Sequence, residues 1–505
     1  MSYRNIVFIL IQFFVNISVF GVDKLNILLS DSGTSPYSKE ATYFSKIIFD
    51  AAVFSQLIEF KGDNINPMLL KNAYYDFQND EYVLVLNDNI YFHNGRKANI
   101  YDLEFSILRY YFTKEKIYPK FYFNNILGID EIANNNITKY QTGLVKGMRI
   151  IDEQTIRVKL KIKDMEFLLS LSNSEFSLIP IECLQDNYID WKTVPIGAGN
   201  YAVDFEGYSN GVVKLKKYNV TNSNLPNHVE LHTIKDPNIH YDILRERPNS
   251  QIIEQYDVFY ANDSVKQLGL TFTNINKLAN NLNFRKFVQA ALNSKEFEEK
   301  FSNLGFKEIV PNKKWGIIGE NISYSPEKAK YYYDKIPQSL KNKVWSVAVY
   351  ADGHKLPEYV KIFSEEVKRQ LALYGFHIQF VTYDTQILNK NLAVKSPFDI
   401  SPFTVEQYDR IHNYSRFTSA WEDKYLKPLH DKKFEHLYKL AESASPEKRF
   451  ILLSEMNKQI YNQVYFVPLL DRKEVIYYNK NVISSLGMDP FNDDGIVKIE
   501  RLSFK

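Results

Sequence analysis

Two strings within VPIGAGNYAVDFEGYSNG, Val194 to Gly211, have residue types and spacing that can do chemistry. GAGNYA, from Gly197 to Ala202, fits a relaxed G-x-G-x-x-A fingerprint. There, glycines let the backbone approach a pyrophosphate held on a helix N-terminus. GYSNG, from Gly207 to Gly211, fits G-x-S-x-G, with Ser209 as an exposed nucleophile. Both sites need a strand before the motif and a helix after it. Here YAVDFE follows the first string and VVKLKK the second, and both alternate as strands do. The acidic ribose ligand expected about 20 residues on is also missing, since Leu215 to Asn219 offers none. The stretch therefore reads as a glycine turn, a strand, a hairpin tip at Ser209-Asn210-Gly211 and a second strand. In this reading the glycines reverse the chain and touch no phosphate. A secreted serine hydrolase using Ser209 is the competing enzyme class, and its context argues against it.

The other reactive residues are sparse. Cys183 is the only cysteine, so no intrachain disulfide or cysteine zinc site can form. It stands in FSLIPIECL and reads as a small buried side chain. The closest histidine pairs are His228/His232 and His430/His436. The first pair lies on a β-like segment, where residues four apart share a face, so a two-histidine surface site stays open. No HExxH or third ligand accompanies it, and a structural or solvated role is favoured. No cofactor or metal is expected. With 62 basic and 60 acidic residues the net charge is +2, and no basic stripe marks a nucleic-acid binder.

A chain of 505 residues is too long for one compact core, so two or three lobes are expected. Residues 1–21 combine Arg4, an apolar run from Ile6 to Phe20, and small residues at Val19 and Gly21. They read as a cleavable secretory signal peptide, with an uncleaved anchor as the alternative. KLNILLSD reads as a buried strand, and Glu40 to Phe60 carries apolar residues at helical spacing. EYVLVLNDNIYFHNG reads as two strands, then a turn at Asn94-Gly95. Asn99 is placed to cap a helix with Asp102 in its first turn. Met148 to Lys161 reads as a hairpin. VWSVAVYA, a helix ended by Gly375, and HIQFVTYD form a strand–helix–strand crossover. Ser325-Pro326-Glu327 and Ser445-Pro446-Glu447 are helix starts.

The order of these segments resembles one family. Phe92-His93-Asn94-Gly95 followed by Asp102-Leu103-Glu104-Phe105-Ser106 is similar to the F-H-D-G and E-D-V-x-F-S signature of family 5 extracellular solute-binding proteins, the oligopeptide, dipeptide and nickel receptors of bacterial ABC importers. VPIGAGNYAV resembles that family's P-x-G-T-G-P-Y, with Asn200 replacing proline. NFRKFVQAALNSKEF, YSPEKAKYYYDK, LALYGFHIQF and the closing YNQVYFVPLLDRKEVIYYNKNV follow in the family's order.

The resemblance implies an α/β, two-lobed periplasmic-binding-protein fold with an extra subdomain in the first lobe. Lobe I would comprise 22–45, 190–270 and 471–505, the inserted subdomain 46–189, and lobe II 271–470. The function implied is non-enzymatic: capture of oligopeptides between the lobes by hinge closure, as a periplasmic monomer that delivers to an inner-membrane ABC permease. A nickel chelate, haem, opine or sugar is the alternative ligand. The ligand-facing candidates are Ser30, Asp31 and Ser32 after the first strand, Thr273 and Asn274 near the crossover, and Tyr408, Asp409, Arg410, Tyr414, Arg416 and Trp421. Asp409 is the candidate partner for a ligand amine, with Asp423 as the alternative. Arg410 and Arg416 are candidates for a carboxylate, and the aromatics for cleft walls. The usual D-Y-P-D-P segment is absent here, so the peptide assignment is weaker than the fold.

Overall fold

The computed structural model describes residues 22–29, 32–38, 41, 43–61, 64–113, 123–164, 167–218, 224–272, 278–301, 306–308, 324–350, 358–383, 398–405, 414, 417–418, 431–442, 444, 446–488 and 496–505. The expected signal peptide lies outside these residues. None of the described helices is long and apolar enough to cross a membrane.

In the first lobe, strand Lys24–Leu28 pairs in parallel with His228–His232 on one side and Ile243–Leu244 on the other. His228–His232 continues antiparallel into Val212–Lys217, which pairs with Tyr201–Ser209. Asn210 (φ 52°) and Gly211 (φ 79°) turn that hairpin. Left-handed backbone at both central positions is what a two-residue type I′ loop needs. Ser209 thus ends a strand and does not sit on a strand–helix elbow.

The alternating face of this sheet buries Leu25, Ile27, Val213, Leu215, Val229 and Leu231 against Ile48, Phe49, Ala52 and Val53. Those four belong to helix Tyr43–Val53. The sequence boundary between residues 45 and 46 cut this helix and put most of it in the insertion. Its apolar stripe instead completes the first-lobe core, and the insertion's own core runs from Leu57 to Leu178.

The insertion is an antiparallel sheet ordered Leu70–Asp76, Glu81–Leu86, Thr155–Val158, Met148–Ile150. Helix Ile100–Leu108 lies against it behind a complete capping box. Asn99 Oδ1 accepts from the amides of Tyr101 (3.0 Å) and Asp102 (3.3 Å), and Asp102 Oδ2 accepts from the Asn99 amide at 2.9 Å. The second strand expected in NDNIYFHNG is reduced to one bridge, Tyr91 to Lys97. The Phe92 amide bonds to Arg96 O at 2.9 Å, and the His93 amide bonds to Gly197 O at 2.9 Å. These backbone groups are committed to the turn and to the first lobe, so they cannot extend a ladder.

That last bond belongs to a staple between the two signature segments. His93 Nε2 lies 3.0 Å from Gly199 O, and His93 Nδ1 accepts from the Gly197 amide at 3.3 Å. The Gly199 amide donates to Val53 O, the helix terminus, at 2.9 Å. Neither glycine is left-handed. A Cβ on Gly197 would stand 2.1 Å from Val53 O, and one on Gly199 would stand 2.5 Å from Ala52 O. This corrects the sequence reading: the two glycines permit close approach to a helix end and do not serve as chain reversals. The staple holds His93 neutral, with Nδ1 accepting and Nε2 donating. Burial pulls its pKa down to about 4, against the Gly199 carbonyl, which favours the charged form.

Two charged clusters also fasten the insertion and its flanks to the first lobe. Buried Glu59 meets Lys498 and Arg501 near the C-terminus. Lys46 pairs with Asp50 at 2.6 Å and reaches Glu175 at 3.6 Å. Cys183, expected to be buried, is only half-buried. It closes a short helical turn and takes a 3.7 Å contact from the Asn94 amide. Its thiol pKa is raised, chiefly by burial, which does not suit a nucleophile.

The second lobe holds the expected crossover. Val344–Tyr350 pairs in parallel with His377–Tyr383, and helix Glu358–Ala372 lies between them in sequence. Gly375 (φ 77°) turns the chain after that helix. Ser325 caps helix Pro326–Asp334, accepting from the Lys328 amide at 3.3 Å.

Two outcomes are expected. Gly199→Ala should lower the unfolding free energy by about 2 kcal/mol or more, seen as a lower midpoint in chemical unfolding, because the new Cβ meets fixed helix carbonyls. In the wild type, the His93 contribution is fully present above pH 6.5 and is lost as pH falls toward 4. The loss should be roughly 2–3 kcal/mol, read from denaturation midpoints across that window. His93→Gln should flatten that part of the profile, and an unchanged slope would contradict the staple.

Candidate functional site

The site is built around two strands that carry the chain between the lobes. Tyr256–Phe272 and Phe466–Asn479 pair antiparallel over most of their length. On the first-lobe side the register runs from Tyr256/Asn479 to Ala261/Glu474, and on the second-lobe side from Lys266/Arg472 to Thr271/Phe466. Between them, residues 262–265 oppose Lys473 alone. A four-against-one mismatch interrupts the ladder between these two strands, and Val265 is already paired on its other side with Val405. The neighbours change at the same point. Ile243–Leu244 pairs with the Tyr477–Tyr478 end, while Phe398–Val405 pairs from Val265 onward and Phe306–Glu308 pairs with Leu470–Arg472.

The side chains agree. Leu268, Leu270 and Leu470 lie in the second-lobe core, and Ile476 lies in the first-lobe core. The first crossing therefore falls at 262–265, earlier than the 270/271 boundary read from sequence. Asn262-Asp263-Ser264 was the available signal, since three turn-prone residues interrupt an otherwise β-prone run.

Each side of the break is clamped. In the first lobe, Asp242 Oδ2 accepts from the Asn26 amide at 2.9 Å and Oδ1 from Asn479 Nδ2 at 3.2 Å. This joins the first strand, the Ile243–Leu244 segment and the second crossing strand. Burial pushes the Asp242 carboxyl pKa up. In the second lobe, Arg285 Nε donates to Gln463 O and Nη1 to Ala279 O, both at 2.8 Å. The Phe272 amide donates to Tyr465 O at 3.0 Å. Burial pulls the Arg285 pKa down to about 10. Sequence reasoning saw Arg285 only as part of a family match and gave Asp242 no role.

Of the ligand-facing candidates, two lie within the described residues. Ser32 follows the first strand half-buried, and its Oγ accepts from the Thr34 amide at 3.3 Å. Tyr414 is fully buried in the second-lobe core, and its hydroxyl donates to Asn457 Oδ1 at 3.0 Å. The structure thus gives Tyr414 a packing position in place of the cleft wall expected. Ser30, Asp31, Thr273, Asn274, Tyr408, Asp409, Arg410, Arg416 and Trp421 lie outside the described residues, as does Asp423.

The strands that lead to them are described. Phe272 opposes Phe398, and Val265 opposes Val405. The chain enters 273–274 from one end of this pair and 406–410 from the other, about 23 Å away along the strands. Only the second exit lies beside the ladder break. His232 is buried with its ring 5.2 Å from that of Tyr241, whereas His228 is exposed, so the two do not form one surface site. Among the described residues, no group of three His, Cys, Asp or Glu is placed to hold a metal.

Residues 64–424 match the family described as bacterial extracellular solute-binding proteins, family 5 middle. No curated protein matches the sequence. Among solved structures, the chain is similar to the periplasmic binding protein DppA from Helicobacter pylori in complex with the peptide STSA. The TM-score is 0.73 and the identity 16%, covering 96% of this chain and 98% of that one. It is similar to Haemophilus influenzae OppA in complex with RPPGFSPFR, with a TM-score of 0.76, 12% identity, and 96% and 99% coverage. It is also similar to NikZ from Campylobacter jejuni in complex with Ni(L-His), with a TM-score of 0.71, 17% identity, and 92% and 95% coverage. The two-lobed fold with its insertion and the family match over most of the chain lead to one conclusion: the chain belongs to the family 5 bacterial extracellular solute-binding proteins.

Proposed function

We propose that the chain captures oligopeptides between its lobes and delivers them, as a periplasmic monomer, to an ABC permease in the inner membrane. The observation that carries this reading is the broken ladder at 262–265, clamped on both sides, in a member of a solute-binding family. Such a joint lets two rigid lobes rotate about a few backbone positions, which is how a hinge closes over ligand. Peptide is favoured over other solutes because several of the similar structures hold peptides, from Met-Leu to a nonapeptide, and two more are described as a pheromone receptor and a murein tripeptide binding protein.

A peptide suits this task. Backbone pairing supplies affinity without demanding a sequence, and charged ends fix direction. Val405, where the described strand ends beside the ladder break, precedes Asp409 and Arg410 by four and five residues in sequence. In this reading Asp409 takes the ligand amine, and Arg410 and Arg416 are candidates for its carboxylate. Tyr408 and Trp421 supply walls, and Ser30, Asp31 and Ser32 face them from the first lobe. No covalent step is involved. Ser209 stands exposed at a hairpin, outside the setting of a nucleophile elbow.

The test is native mass spectrometry of the purified protein, followed by ligand release and sequencing. A co-purifying peptide mixture is expected, and Asp409→Asn should weaken its retention. Ligand at a hundredfold excess over Kd should stabilise the fold by about 2.7 kcal/mol, seen as a raised Tm. A single metal chelate or sugar in the released fraction would overturn the peptide assignment and leave the family untouched.

A further inference from the structure

We propose that Asp164 and Arg449 form a latch that holds the closed arrangement of the lobes; this rests on the hinge-closure reading above. Arg449 Nη2 donates to Asp164 Oδ1 at 3.3 Å across 285 residues of sequence. Asp164 belongs to the loop after the insertion's sheet. Arg449 lies in helix Pro446–Gln463, which contributes Leu453, Met456 and Ile460 to the second-lobe core. The pair therefore joins the insertion to the second lobe, away from the two crossing strands.

Each half of the latch is held in place from its own side. The Tyr82 hydroxyl donates to the Asp164 carbonyl at 2.5 Å, and Tyr82 is itself buried in the insertion core against Phe167. Next to it, Lys163 Nζ lies 4.2 Å from the Tyr75 ring centroid and 4.7 Å from that of Phe77. On the other lobe, Arg449 Nε donates to Ala441 O at 3.0 Å, which fixes the guanidinium before it meets the carboxylate. Only 6% of Arg449 is exposed. Little side-chain entropy remains to be lost when the halves meet, so more of the attraction survives as net stabilisation.

The geometry makes the pair sensitive to closure. The insertion is tied to the first lobe by the His93 staple and by the Glu59 and Lys46 clusters, so it moves with that lobe. Rotation at 262–265 and Lys473 swings Arg449 away from Asp164. The closed state gains the pair and the open state does not, and a contact made in one state alone shifts the balance between them.

The full chain is tested by distance measurements between spin labels. With Cys183→Ser, labels at Ala133→Cys on the insertion and Lys458→Cys on the second lobe use exposed positions. Asp164→Asn keeps the loop's backbone anchor and should lower the closed-to-open ratio roughly three- to tenfold without lowering the Tm appreciably. The exchanged pair Asp164→Arg with Arg449→Asp should recover part of the closed population lost in either single variant. An Asp164→Asn distribution identical to wild type would overturn the latch, as would an exchange no better than the single changes. If wild type moves when a tryptic digest of casein is added while Asp164→Asn behaves identically, only the latch fails. If wild type shows one fixed distance with and without the digest, closure fails and the latch with it.

Discussion

Two antiparallel strands must pass from one folded lobe to the other, and their hydrogen-bond ladder cannot stay regular across the boundary and also allow rotation. The mismatch of residues 262–265 against Lys473 resolves that conflict. Unbroken pairing through this point would weld the lobes into one stiff ribbon, whereas a longer gap would leave them loosely tethered. On one side, Asp242 gathers three strands. On the other, Arg285 and the Phe272–Tyr465 bond hold the exit into the second lobe. In the proposed hinge, rotation would fall on these few backbone positions.

The insertion is fastened to the first lobe by several separate contacts. His93 uses both ring nitrogens on Gly197 and Gly199, which lie so close to the end of helix Tyr43–Val53 that neither position accepts a side chain. A neutral histidine does this without burying a charge, and the cost is sensitivity to acid. The family's two signature segments, far apart in sequence, are thus halves of one contact. The likeness of GAGNYA to a dinucleotide fingerprint comes from glycines needed for packing.

Much of the fold was legible in the sequence, and the reasons are local. Asn99 and Asp102 announce a helix start by spacing alone, Asn210-Gly211 announces a hairpin, and the segment ending at Gly375 announces a parallel crossover. Each depends on residues within a few positions of one another. What was not legible depends on tertiary contact. Helix Tyr43–Val53 has an apolar stripe that any core could accept, so its lobe could not be read from period. Gly197 and Gly199 look like turn formers until the helix end above them is seen. Tyr414 looks like a cleft aromatic until Asn457 is found beneath its hydroxyl. The hinge is the intermediate case: Asn262-Asp263-Ser264 marked it, but the alternation beyond Val265 concealed that the lobe had already changed. The candidate site was legible only as a set of segments, because the partners that would orient its side chains are distant in sequence.

The central claim is that the lobes rotate about 262–265 and Lys473. Crystal structures of the ligand-free protein and of its complex with a bound peptide, superposed on strands Lys24–Leu28, Val212–Lys217 and His228–His232, test it most directly. The account predicts that the insertion moves with these strands, that the second lobe rotates as a body, and that changes in φ and ψ concentrate at 262–265 and 472–474. Rotation absorbed instead between the insertion and the first lobe, or no rotation at all, would contradict it.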